Sequence, residues 1–104
     1  MESRRERILR LLRESGRPLT VHEIAAALGI PPNETKSIYE DLKHLARTIR
    51  RRSKGREILV MVPPRCKTCG YVFKDLEEPR KPSRCPRCRG ERIEPPAFTI
   101  ITSD

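Results

Sequence analysis

The chain has 104 residues, enough for one domain or two very small ones. Its net charge of +9 comes from 23 Lys and Arg against 14 Asp and Glu, a balance that favours polyanionic partners such as nucleic acid. No apolar stretch approaches the roughly 20 residues of a membrane span, and the charged opening Met1-Glu2-Ser3-Arg4-Arg5 has no apolar run behind it, so a cytoplasmic protein with no membrane partner is expected.

Ser3 and Glu6 form a capping box ahead of an apolar stripe at Ile8, Leu9, Leu11 and Leu12, which predicts a first helix over about 3–15, stopped by Gly16. Its arginines, Arg4, Arg5, Arg7, Arg10 and Arg13, are expected to pair with Glu2, Glu6 and Glu14 at helical spacing. Thr20 and Glu23 form a second box. Val21, Ile24, Ala25 and Leu28 follow at i, i+3, i+4 and i+7 up to Gly29, predicting a helix over 21–28.

Pro31-Pro32 turns the chain, and a third helix starts at Pro32 or Asn33. Its stripe is Ile38, Leu42, Leu45 and Ala46, and it is expected to end near Arg47. Residues 48–52 and 56–62 flank Ser53-Lys54-Gly55, which predicts a hairpin; Ile58, Val60 and Val62 alternate as one strand face. Pro63-Pro64 breaks the strand and marks a boundary. Three short helices followed by a basic hairpin describe a winged helix–turn–helix over residues 1–64.

The cysteines fall as Cys66-Lys67-Thr68-Cys69, fifteen residues, and Cys85-Pro86-Arg87-Cys88. Two such clips supply the four thiolates of one tetrahedral metal site, with no cysteine left over. Gly70 after the first clip suits a turn with positive φ. After the second clip the glycine is one place late, at Gly90, so a less regular turn is expected there. Two structural disulfides would need an oxidising compartment, and a thioredoxin-like motif would need a βαβ pattern that is absent. Zinc is the expected ion; iron is the rival in the same cage. The few apolar residues after Cys66 cannot form an independent core, so the metal must supply folding energy there. Tyr71 and Phe73 are expected to cover the metal site. With four thiolates and one Zn²⁺ counted, the net charge falls to +7.

The chain resembles the archaeal predicted transcriptional regulators that fuse a winged helix–turn–helix to a rubredoxin-like zinc ribbon. The resemblance rests on the helical pattern of residues 1–64 and on Arg65-Cys66-Lys67-Thr68-Cys69-Gly70-Tyr71-Val72-Phe73 and Arg84-Cys85-Pro86-Arg87-Cys88-Arg89-Gly90 in residues 65–104. It implies an α+β fold of two units and a role in transcription regulation. The 36% of charged residues, ten prolines, single Asn and absent Gln are typical of proteins from very hot environments, so part of the charge reflects habitat.

The expected partner is double-stranded DNA. In a winged helix the third helix enters the major groove, and its outward candidates are Asn33, Thr35, Lys36, Ser37, Glu40 and Lys43. Glu34, Glu40 and Asp41 offset Lys36, Lys43 and Arg47, leaving that helix near neutral. The expected wing is strongly basic: Arg47, Arg50, Arg51, Arg52, Lys54 and Arg56 lie within ten residues. The proposed nucleic-acid contacts are therefore Thr35, Lys36, Ser37, Lys43, Arg50, Arg51, Arg52, Lys54 and Arg56. His22 and His44 join no cluster. No nucleophile elbow, phosphate loop or paired acid–base set is present, so no enzyme is expected and no small-molecule substrate is evident. A protein-docking adaptor for transcription or translation machinery, and an iron-bound electron carrier, are the alternatives.

Overall fold

The computed structural model describes residues 2–103. Ser3 caps α1 (Arg4–Glu14), its Oγ accepting the Glu6 N–H at 3.2 Å. A two-residue strand, β1 (Leu19–Thr20), leads straight into α2 (Val21–Leu28). Here the capping box is complete: the Thr20 N–H donates to Glu23 Oε1 at 2.9 Å and Thr20 Oγ1 accepts the Glu23 N–H at 3.2 Å. Gly29 then takes φ 69° and the Ile30 N–H returns to the Ala25 carbonyl, closing α2.

A single 3₁₀ turn (Pro32–Glu34) precedes α3 (Thr35–Arg52). Its buried stripe is Ile38, Leu42, Leu45 and Ile49, at steps of four, three and four. The helix thus runs five residues beyond its expected end at Arg47. Ile49 extends the apolar stripe by one turn, and Arg50, Arg51 and Arg52 suit the negative end of the helix dipole. Lys54 (φ 55°) and Gly55 (φ 83°) reverse the chain, and the Gly55 N–H bonds the Arg50 carbonyl at 2.8 Å.

The hairpin expected between residues 48–52 and 56–62 is therefore corrected. Residues 48–52 are helical, and β2 (Glu57–Val62) pairs instead with the last strand, β5 (Ala97–Thr102). Their antiparallel register runs from Glu57 opposite Thr102 to Val62 opposite Ala97. β5 also pairs with β1, Leu19 opposite Phe98, giving a three-stranded sheet in the order β1-β5-β2. Residues 63–96 are thus inserted between two paired strands. The expected division at 64/65 falls inside this insertion, and residues 97–102, expected in the ribbon unit, pair with β1 and β2.

Leu59, Met61, Phe98 and Ile100 point from this sheet onto the helices. With Ile8, Leu9, Leu12, Leu19, Val21, Ile24, Ile38, Leu42, Leu45 and Ile49 they form one core. Phe98 is its largest fully buried side chain and meets Tyr39 edge-on, with ring centroids 6.3 Å apart. The period-two pattern places Ile58, Val62 and Ile101 on the opposite, solvent side of the sheet.

The α1 arginines are structural, but their partners are mostly distant. Asp41 of α3 is 4% exposed and accepts from Arg4 and Arg5. Arg7 donates to the Leu28 carbonyl at 2.8 Å, and Arg13 makes a two-pronged pair with Glu57. Arg10 alone finds a local partner, Glu2. Among the described residues no helix is long and apolar enough to cross a membrane.

Candidate metal centre and basic surface

Within the insertion, β3 (Arg65–Cys66) and β4 (Ile93–Glu94) pair antiparallel. The two cysteine clips share one backbone plan. The Cys66 N–H bonds the Tyr71 carbonyl and the Gly70 N–H bonds the Cys66 carbonyl; the Cys85 N–H bonds the Gly90 carbonyl and the Arg89 N–H bonds the Cys85 carbonyl. The second clip is thus as regular as the first. Its left-handed position is filled by Arg89, φ 62°, where the first clip has Gly70, φ 80°. Gly90 answers a different need: a Cβ there would lie 3.2 Å from Cys88 Sγ.

The four sulfurs lie within 4.8 Å of one another, with Cys66–Cys88 and Cys69–Cys85 each at 3.6 Å. A tetrahedron with bonds of about 2.3 Å has edges of roughly 3.8 Å, so the donor set fits Zn²⁺. Backbone amides point at the sulfurs: Arg87 and Cys88 N–H to Cys85 Sγ, and Gly90 N–H to Cys88 Sγ. The Cys69 N–H bond, with help from Thr68 and the neighbouring sulfurs, outweighs burial and holds the Cys66 thiol at about 6. At Cys85 burial is the largest influence and raises the value, yet the Cys88 and Arg87 N–H bonds with the other sulfurs bring it below the ordinary one. At Cys88 the Gly90 N–H favours the thiolate, but the Cys66 sulfur, burial and the other sulfurs push it up to about 12. Four thiolates this close repel one another, and a bound cation removes that conflict. Iron takes the same four-sulfur geometry.

Cys66 and Cys85 are both 1% exposed and pack with Ile93, and Tyr71 and Phe73 lean on this cluster edge to face, 5.1 Å between centroids. They cover the metal site, as the sequence suggests. With four sulfur ligands the site has no open coordination position, which makes it a structural centre.

The second surface is the outer side of α3. Thr35 and Ser37 are half-buried at its start, and Lys36 is exposed. Lys43 is half-buried, and its Nζ lies 3.2 Å from Glu78 of the insertion. Arg50, Arg51 and Arg52 are exposed on the last turn of α3; Lys54 and Arg56 are exposed in the following turn. The basic residues expected on a wing therefore lie on a helix end and its turn. Of the charges that balance along α3, Lys43 is paired with Glu78 and Glu40 is exposed. Asp41 faces inward, and Glu34 is paired with Arg4. His22 and His44 are exposed and outside the metal cluster.

Arg80 and Lys81 are two of the many basic residues of the inserted ribbon, and their place beside α3 is not visible in the sequence. A crevice of about 380 Å³ is lined by residues of both units, among them His22, Thr35, Lys36, Tyr39, Arg80 and Lys81. Only the fold brings these together, though the Pro79-Arg80-Lys81-Pro82 spacing marked a rigid basic segment.

This architecture defines a small protein of mixed helices and antiparallel strands that carries a four-cysteine zinc ribbon. The chain belongs to the PF0610-like family: the PF0610-like N-terminal domain model matches residues 3–59, and the PF0610 rubredoxin-like zinc beta-ribbon domain model matches residues 63–102. It is similar to the solution NMR structure of protein PF0610 from Pyrococcus furiosus, at 37% identity and a TM-score of 0.76, covering 96% of this chain and 90% of that one. No curated protein matches the chain.

Proposed function

We propose that this protein is a non-enzymatic, cytoplasmic transcription regulator that binds double-stranded DNA through a winged helix–turn–helix. In this reading α2, the Gly29 turn and α3 are the helix–turn–helix, and the sheet β1-β5-β2 is the wing sheet with the zinc ribbon inserted at its tip. The carrying observation is a run of seven basic side chains on α3 and its turn. Lys36, Arg47, Arg50, Arg51, Arg52, Lys54 and Arg56 are all exposed, and none lies within salt-bridge distance of a described carboxylate, although the charge of Arg52 reaches Glu57. Arginine forks suit phosphate oxygens, and polar groups at the start of α3 suit base edges. The zinc ribbon acts as a scaffold.

The test is the joint substitution Arg50→Ala, Arg51→Ala, Arg52→Ala. It should weaken binding to all duplex sequences alike and lower the salt slope by about two to three. An unchanged slope refutes this surface.

A second reading, a protein-docking adaptor, draws on the outer face of the sheet. Ile101 is 51% exposed, Val62 43% and Ile58 37%, and Ile58 and Ile101 are direct cross-strand partners. A complex that survives nuclease treatment and is lost with Ile58→Lys and Ile101→Lys would favour that reading.

A further inference from the structure

We infer that the ribbon itself supplies part of the DNA surface: Arg80 and Lys81, seated beside Lys36 and His22, bind duplex phosphates together with the first turns of α3. This inference rests on the DNA-binding reading above and names a contact that reading does not contain.

Four observations carry it. First, the insertion folds back onto α3. Glu78 pairs with Lys43, and Pro79 lines crevices on both sides of that contact, one with Tyr39 and Glu40 and the other with Ala46 and Arg47. Second, Arg80 and Lys81 are held between two prolines. Pro79 is half-buried, Pro82 is buried, and both cationic side chains are exposed. Fixed φ angles on either side leave little backbone freedom to lose on binding. Third, the charges converge. Lys36 of α3 and Arg80 and Lys81 of the ribbon line one crevice, with His22 at the start of α2 and Glu40 as its one carboxylate. Fourth, Glu78 answers the charge of Lys43, and the ribbon acids Asp75, Glu77 and Glu78 line other crevices, which leaves Lys81 and Lys36 facing the shared one with Arg80 at its edge.

The tip of the β2–β5 pair is opened to admit 34 residues, 63–96, and the fold-back places the inserted cations beside the N-terminal half of α3. The charge complementarity selects a polyanion, and basic groups drawn from α2, α3 and the ribbon suit the spaced phosphates of a duplex backbone.

The experiment uses full-length, zinc-loaded protein and a random-sequence DNA duplex, with binding measured across a salt series. Arg80→Ala with Lys81→Ala is compared with Lys67→Ala with Arg92→Ala. The second pair removes the same charge from exposed positions beside the metal clips. Zinc content and melting temperature confirm that both variants are folded. The Arg80/Lys81 variant should bind about tenfold more weakly with a salt slope lower by about two, while the Lys67/Arg92 variant stays within about threefold of the parent. Equal weakening of the two variants, or no change in the first, overturns the ribbon contact and leaves DNA binding standing. Failure of the parent protein to bind duplex DNA at low salt overturns both.

Discussion

Asp41 on α3 accepts the Arg4 Nε–H at 2.5 Å across 37 residues of sequence, tying the first helix to the third. Arg5 joins at 3.0 Å, so one carboxylate serves two guanidinium groups. The Asp41 hydrogen bond, reinforced by charge and opposed by burial, raises the Arg4 pKa above its ordinary value. Both arginines remain partly hydrated, with side chains 34% and 45% exposed, so the pairs are screened. Asp41→Ala should cost about 1–2 kcal/mol in urea unfolding, well above the roughly 0.5 kcal/mol expected for Glu40→Ala on the exposed side. Equal effects would show that Asp41 is not a tie.

Phe98 lies 34 positions beyond Pro64, yet it fills the centre of the helical core. Phe98→Ala should destabilise the whole protein by about 3–5 kcal/mol. A chain ending at residue 64 should lack cooperative unfolding, because Leu59 and Met61 lose the strand that pairs with them. A sharp thermal transition in that fragment would contradict the inserted arrangement.

Arg89 occupies a left-handed backbone position that costs a non-glycine residue about 1 kcal/mol. Arg89→Gly should therefore stabilise the zinc-loaded protein by up to about 1 kcal/mol, less the added freedom of the unfolded chain. Gly90→Ala should do the opposite, since its Cβ crowds Cys88 Sγ. Thermal melts of the two variants, displaced in opposite directions, check the pair.

Hydrogen bonding from Arg13, opposed by burial and aided by the charges of Arg13 and Arg52, lowers the Glu57 pKa. A depressed carboxyl pKa means that the pair stabilises the fold above the unfolded value of about 4.3, and that this contribution is lost as pH falls through the folded value. Arg13 is nearly half exposed, so the coupling should be about 0.5 kcal/mol at neutral pH. A double-mutant cycle of Arg13→Ala and Glu57→Ala should give that coupling at pH 7 and none at pH 2. Equal coupling at both pH values would count against the pair.

The metal centre was legible because its information is local: two clips fix four sulfurs whatever surrounds them. The first two helices were legible for the same reason, through Ser3, Thr20, Glu23 and Gly29. The end of α3 was misread because Thr48 and Ile49 are β-branched and suit a strand, although Ile49 also continues the stripe of Ile38, Leu42 and Leu45. The strand pairing was hidden because an alternating six-residue strand carries no label for its partner. Nearness in sequence favoured a hairpin, whereas the core required Phe98. The α1 arginines were matched to acids at helical spacing, the only pairings sequence displays, while Asp41 and Glu57 lie on later elements. The nearness of Arg80 and Lys81 to Lys36 spans more than 40 residues of sequence, and only the fold displays it.

The central claim is that the basic side of α3 binds duplex DNA. The most direct test is binding of the zinc-loaded protein to random-sequence duplex across a range of salt. The account predicts micromolar or tighter binding at low salt that falls steeply as salt rises. No binding at low salt would contradict it and leave the helices as a docking scaffold for another protein.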